Sequence, residues 1–475
     1  MPGFLASSIG ASSIGVTCAA ALAVPLTLPA AVPPARAEPT SERATSAART
    51  AVPAVPGSTR SLPLRPLGPL ARDRVLGAVP ERGLYRRDVR RFSLVGVVWD
   101  DPDAELQGQV RVRTRAAGTG AWSDWQDIET HNADDGADPG TAERVSGRVR
   151  GATAPLWVGD SDGVQVRVRA AAGADEATGG HRDAGEPPPL PSGLRLELVD
   201  PGTESPPADP SADLVRADTM GDADTMGDVA ASAVNTDLAP LGATGIPALN
   251  KRDTELELLA LRGDELTPDQ RAKPYIGPRP RIVTRRGWGA DESLRERGFV
   301  YTKKVEAAFV HHSASSNKYS CSQAPSVIRG IYRYHVKSMG WRDIGYNFLV
   351  DKCGNIYEGR AGGVTKAVMG AHTRGFNTDT MGIAVLGTFD SAEPSSAAVT
   401  AIAGLTAWKL GLYGANPRGK TYLKSGGGNL YPKGKNVRLN VISGHRDGFA
   451  TQCPGKRLYA KLGTARSTAA RYQGR

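Results

Sequence analysis

A chain of 475 residues has material for two or three domains with sizeable cores, which excludes a small scaffold held together by staples. Aromatic residues are only 6% of it, and 56 Gly with 34 Pro imply that part of the length is linker. The net charge of +10 is uneven: residues 281–475 carry 30 basic and 11 acidic side chains, the remainder 29 and 38. An anionic partner is therefore expected for the C-terminal part, the classes being nucleic acid, a membrane surface or an anionic wall polymer.

In chain order, residues 11–32 are apolar or small, and Ala35-Arg36-Ala37 has the form of a cleavage site. This predicts a signal peptide over 1–37 and a mature chain beginning near Glu38, although no Lys or Arg precedes the apolar run. No later segment approaches the roughly 18 uninterrupted apolar residues of a membrane span. The expected product has no membrane span and is secreted, extracellular or wall-associated. Residues 38–90, rich in Pro, Ala and Arg without periodicity, read as a disordered or extended lead. Short runs at 92–99, 110–113, 156–158, 164–168 and 194–198, several alternating with period two, predict a small antiparallel β-sandwich over 91–200. Trp122 and Trp125 within it are read as packing residues in preference to a sugar-stacking pair.

Residues 201–280 are acidic and Pro/Ala-rich and carry a tandem duplication, Ala217 to Asp222 followed by Ala223 to Asp228. Such a repeat survives where no fold depends on register, so a linker is expected, with one short helix around Thr254 to Leu261. From Arg281 to the C-terminus, strands are expected at 306–310, 346–350, 355–358 and 381–389, and helices at 323–337 and 394–412. A hairpin at 351–355 and the strand–helix alternation imply an α/β domain, a mixed sheet flanked by helices.

The chemistry concentrates in that domain. His445 and Cys453 stand eight positions apart in a loop-like segment, and His311 ends an apolar run far upstream. Two imidazoles and a thiolate suit zinc, and three protein ligands leave a fourth position open, the arrangement of a catalytic site. His312 competes with His311, but successive strand residues face opposite ways, so only one of them serves. Cys18 leaves with the signal and Cys453 goes to the metal, which leaves Cys321 and Cys353 as the pair an oxidising compartment would join.

Six segments taken together resemble the peptidoglycan recognition proteins, a family that includes the phage-lysozyme-type zinc N-acetylmuramoyl-L-alanine amidases. They are Arg286-Gly287-Trp288-Gly289-Ala290, Val310-His311-His312-Ser313, Gly340 to Phe348, Tyr357-Glu358-Gly359-Arg360, Gly370-Ala371-His372-Thr373, and Gly444 to Asp447 with Cys453-Pro454-Gly455. The resemblance implies the amidase fold for 281–475, with zinc on His311, His445 and Cys453. It places Tyr346 and Thr451 in catalysis, where one hydroxyl orients the attacking water or the scissile carbonyl and the other stabilises an oxyanion. It implies His335, His372 and Asn377 along the substrate groove, and Gly340, Trp341 and Arg360 in recognition of diaminopimelate-type stem peptides, the guanidinium holding the extra carboxylate.

The function so implied is hydrolysis of the amide between N-acetylmuramic acid and L-alanine, by a monomer acting on peptidoglycan or muropeptides, with other anionic wall polymers as further partners. A non-catalytic recognition module is the alternative, and Cys453 argues for the enzyme, because family members without hydrolysis typically lack that cysteine. A thiol hydrolase built on Cys453 and His445 is a further alternative. Nucleic-acid binding is not expected, since the basic domain has no stacking or groove-reading motif. No carboxylate is identified as general base, and no role for residues 91–200.

Overall fold

The structure, a computed structural model, describes residues 56–67, 80–130, 134–171, 188–203 and 223–475; the signal peptide and the first copy of the duplication lie outside these. Nine strands make the first sheet: β1 (Ser58–Pro63), β2 (Arg65–Pro66), β3 (Glu81–Arg86), β4 (Phe92–Trp99), β5 (Gly108–Ala116), β6 (Gln126–Ile128), β7 (Gly151–Ala152), β8 (Leu156–Ala170) and β9 (Arg195–Asp200). All its pairings among the described residues are antiparallel. The expected disordered lead is thus partly strand. β1 pairs with β9 in register from Ser58 against Asp200 to Pro63 against Arg195, and β3 pairs with β8. Their partners are remote in sequence, so no local periodicity announces them.

β4 explains how this sheet meets the rest of the chain. Phe92-Ser93-Leu94-Val95-Gly96-Val97-Val98-Trp99 is apolar almost throughout, the pattern of a strand buried on both faces. Val95, Val97 and Trp99 join the core of the sheet itself, while Leu94 and Val98 join a cluster with Val327, Ile331 and Tyr334 of the C-terminal domain. At Gly96 the two domains approach so closely that a Cβ would stand 2.3 Å from the Tyr334 hydroxyl. The two domains share a core.

The expected linker is partly folded as well. Residues 223–280 hold helices α1 (Ala223–Ala233), α2 (Lys251–Arg262) and α3 (Pro268–Ala272), with β10 (Gly245–Ile246) hydrogen-bonded into the second sheet. Asn250 caps α2, its side chain accepting from Asp253 N at 3.0 Å, and a Thr267/Gln270 capping box opens α3.

The second sheet adds β11 (Ile282–Val283), β12 (Ala307–His312), β13 (Phe348–Val350), β14 (Ile356–Glu358) and β15 (Thr380–Val385) to β10, and the late strand Ile442–Gly444 pairs with β12. β12 runs parallel to β15 and to the late strand, while β13 and β14 form the expected hairpin, so the sheet is mixed. Helix α4 (Ala324–Arg333) covers one face with Val327, Ile328 and Ile331; α5 (Ser396–Gly411) and α6 (Lys456–Gln473) cover the other with Ile402, Leu405, Trp408, Leu458 and Leu462. Helix α5 starts after Ser395, whose hydroxyl accepts from Ala398 N at 3.1 Å, so Pro394 precedes the cap. Helix α6 and a lysine-rich hairpin, 420–424 with 436–440, were not expected from the sequence.

Cys321 and Cys353 form a disulfide, which ties the entrance of α4 to the β13–β14 turn. Among the described residues no helix is long and apolar enough to cross a membrane. Trp122 stacks on Tyr85 at 5.8 Å, and the guanidinium groups of Arg111, Arg113 and Arg167 lie over Trp125.

Candidate metal centre and substrate groove

β12 sets the first ligand by strand alternation. Ala308 and Val310 point into the core under α5, so Phe309 and His311 face the other way. His312 stays out of the cluster, its Nε2 lying 3.4 Å from Glu129. The other two ligands come from the loop after the late strand. His445 opens a 3-10 turn, and Arg446 N donates to Cys453 O at 3.0 Å, which closes the loop and brings Cys453 back beside His445. The His311 and His445 Nδ1 atoms are 3.1 Å apart, and Cys453 Sγ is 3.8 Å from His311 Nδ1. One ligand atom from each of the three lies within 4.8 Å of the others.

The far nitrogen of His311 is held as well. Its Nε2 lies 3.3 Å from His372 Nδ1 and 3.4 Å from Thr373 Oγ1, and the Thr380 hydroxyl is 3.3 Å from His372 Nε2. Partners behind a ligand fix ring orientation and tautomer. His372 fits there because β15 carries Gly382: a Cβ at that position would stand 2.4 Å from the His372 ring. His372 thus supports a ligand from behind.

The donor set fits a divalent cation on its chemistry. His311, His445 and Cys453 are all at most 5% exposed. Two carboxylates approach them from the first domain, with Asp135 Oδ1 3.6 Å from both Nδ1 atoms and Asp134 Oδ2 3.8 Å from His445. Asp135 Oδ1 is buried and makes no hydrogen bond among the described residues. Burial, seconded by the neighbouring imidazoles, pulls His311 well below the ordinary range, and burial takes His445 down to about 3, so both rings are neutral and could bind a metal. Burial pushes Asp134 up to about 7 against the hydrogen bond from Thr451, and pushes Asp135 and the Cys453 thiol up with help from adjacent carboxylates. Two imidazoles and a thiol with carboxylates beside them are a donor set that could hold a divalent cation.

Around this centre the other sequence-selected residues converge. The Tyr346 hydroxyl donates to Asp135 Oδ2 at 2.9 Å, and its ring lies 5.4 Å from His311. Thr451 accepts from Cys453 N at 3.2 Å and is only partly buried. Helix α4 continues as a π turn over Tyr334–Ser338, which turns Tyr334 towards the first domain and leaves His335 facing Trp341 at 4.4 Å and Tyr346 at 5.7 Å. His335 also accepts from Gly345 N at 3.2 Å, so it shapes the groove wall from within. Asn377 Oδ1 accepts from His372 N and Thr373 N, which holds the loop bearing His372. Arg360 donates from Nε to Ile344 O at 2.9 Å and is buried, as is Trp341.

The sequence reading missed the acidic side chains that meet this site. Asp134, Asp135, Asp138 and Glu143 belong to the first domain, in a stretch between β6 and β7 that has no strand. The available signal was composition: an Asp-Asp-Gly-Ala-Asp run inside a β-domain, with no alternation to explain it.

Comparison with known proteins gives two family matches. Residues 42–189 match the Rv3811 N-terminal galactose-binding domain-like family, and residues 301–456 match the N-acetylmuramoyl-L-alanine amidase family. The chain is 31% identical over 194 residues to peptidoglycan-recognition protein SC1a of Drosophila melanogaster, covering 40% of this chain and 87% of that protein. It is 29% identical over 183 residues to peptidoglycan-recognition protein SC2 of Drosophila simulans, covering 38% and 85%. Among solved structures, Drosophila PGRP-LB matches at 26% identity over 38% of this chain and 92% of that one, with a TM-score of 0.30.

Proposed function

The chain belongs to the peptidoglycan recognition protein family, whose domains bind peptidoglycan or cleave it as amidases, and we propose that it is a secreted zinc amidase. The bond cut is the amide between N-acetylmuramic acid and the L-alanine of the stem peptide. The observation that carries the reading is the convergence of His311, His445 and Cys453 beside the Tyr346 and Thr451 hydroxyls. Secretion rests on the signal pattern over 1–37 and on the Cys321–Cys353 disulfide.

His311 and His445, neutral through burial, and Cys453 would hold the ion. Zinc supplies Lewis acidity there, polarising a carbonyl and letting water attack near neutral pH. Tyr346, whose hydroxyl donates a hydrogen bond to Asp135 Oδ2 in the structure, can donate the same hydrogen bond to the scissile carbonyl. Thr451, at the partly exposed edge, offers a second hydroxyl to the developing oxyanion. Arg360 supplies a planar fork that binds a carboxylate bidentately, which favours diaminopimelate-type stems.

Zinc analysis combined with mass spectrometry of products tests this reading. The chain should carry one zinc, and Cys453→Ser should lose both the metal and peptide release while keeping its wall binding. Stoichiometric zinc with wall binding and no released peptide, in the wild-type chain and in a Glu143→Ala variant alike, would sink the hydrolase reading in favour of a recognition module.

A further inference from the structure

Residues 134–150 of the first domain lie in the groove just described. Four of the ten residues 134–143 are acidic, and each finds a partner in the other domain. Glu143 meets Arg360 fork to fork, with Nη1 to Oε2 at 2.9 Å and Nη2 to Oε1 at 3.0 Å, and takes a third bond from Arg342 N at 3.2 Å. Both side chains of that pair are at most 5% exposed. Asp138 accepts from Gly375 N at 2.7 Å and from Asn377 Nδ2 at 2.6 Å. Asp135 binds the Tyr346 hydroxyl and faces the His311 and His445 rings, and Thr451 hydrogen-bonds Asp134.

The backbone of the segment is threaded as closely. Gly136 N donates to Ala371 O, Arg374 N to Asp134 O, and Arg150 N to Met339 O. Gly340, at φ +77°, lets the segment pass: a Cβ there would stand 2.1 Å from Arg148 O. A Cβ on Gly136 would touch Trp341. The side chains that would grip a stem peptide are therefore covered by the protein itself, and His311, Tyr346, Trp341, Arg360 and Asn377 are all buried.

We propose that residues 134–150 are a built-in occupant of the substrate groove, Glu143 taking the seat of a stem-peptide carboxylate on Arg360 and Asp135 closing the metal side, so that the full chain is latent until this segment leaves. The proposal rests on the reading of the groove as a muropeptide site. A tethered occupant acts at an effective concentration of the order of millimolar, so free muropeptide at micromolar concentration is outcompeted. Binding and segment release are then linked, since both need the same Arg360 fork.

The test titrates a soluble diaminopimelate-type muropeptide into the zinc-loaded full chain and into its D135A/E143A variant by calorimetry, with product release followed by mass spectrometry. Affinity should rise at least tenfold in the variant, and turnover with it. Unchanged affinity in a variant with wild-type circular dichroism would overturn the proposal. So would loss of turnover at unchanged affinity, which would put Asp135 in the catalytic machinery instead. Tighter binding with no peptide released, from this variant and from Glu143→Ala alone, leaves the occupancy standing and brings down only the hydrolase reading. Hydrogen exchange on the wild-type chain does not depend on the variant folding. Saturating muropeptide should strip protection from the Gly136 and Arg150 amides, and binding with both still protected would overturn the proposal.

Discussion

Two buried arginines use the same chemistry to opposite ends. Arg285 is closed within the C-terminal domain, where it donates to Glu292 at 2.6 Å, to Asp343 at 3.1 Å and to Gly359 O, while Glu292 is shared with Arg295. Arg360, some 75 residues on, is equally buried, but its carboxylate comes from the first domain. A buried fork whose acids lie in its own domain is a structural pin, because nothing else can reach it. Arg360, whose acid arrives from another domain, is on the proposal above a binding site with an occupant. The contrast teaches that the origin of the carboxylate, more than the geometry of the pair, separates architecture from recognition.

Replacing Arg285 by Ala should break the comparison from the structural side with the largest effect. It leaves Glu292 and Asp343 buried with less compensation, at a cost of about 3–5 kcal/mol, read as a large fall in denaturation midpoint or loss of soluble protein. Glu143→Ala should cost less, about 1–3 kcal/mol, because Arg360 keeps Ile344 O and Met369 O as partners and can regain water. The sharper sign is recovery: muropeptide at 100 times its Kd should restore about 2.7 kcal/mol in a thermal shift, and at the same concentration it should restore less in R285A, where Glu143 still holds Arg360. A Glu143 variant that no muropeptide restores would make the two arginines alike.

Gly382→Ala tests the support behind the metal. Its Cβ would press on the His372 ring, costing about 1–3 kcal/mol and weakening zinc retention in a chelator competition. A pH effect is expected at His335, beside Arg360, whose imidazole burial and then the guanidinium pull down to about 3. Its folded pKa lies below the unfolded value near 6.5, so the stability it contributes is fully present above 6.5 and is lost as pH falls towards 3. Denaturation midpoints should drop across that window, and His335→Gln should flatten the profile by about 1.4 kcal/mol per pH unit at most.

Much of the C-terminal domain was legible because its signals are local. The apolar run ending at His311 and the loop from His445 to Cys453 carry ligand types at defined spacings, and α4 shows its apolar face at Val327, Ile328 and Ile331. What escaped is non-local. β1, an edge strand, and β3 exist only because β9 and β8, remote in sequence, pair with them. The apolar run of β4 announced a strand, yet nothing in the sequence says that α4 covers its second face. Helix α2 extends the short helix expected at Thr254 to Leu261, whereas α1 and α3 were hidden by a composition typical of linkers, although Thr267 is an ordinary cap. Asp135 and Glu143 could not be assigned, because the tyrosine and arginine they bind lie more than 200 residues away.

The most direct test of the central claim is the mass of the products formed from a purified diaminopimelate muropeptide, with the D135A/E143A variant run beside the wild-type chain. The account predicts peptide-free disaccharide and an intact stem peptide beginning with L-alanine, formed faster by the variant, abolished by chelator and restored by zinc. Zinc-loaded variant that binds the muropeptide and returns it uncut would contradict it.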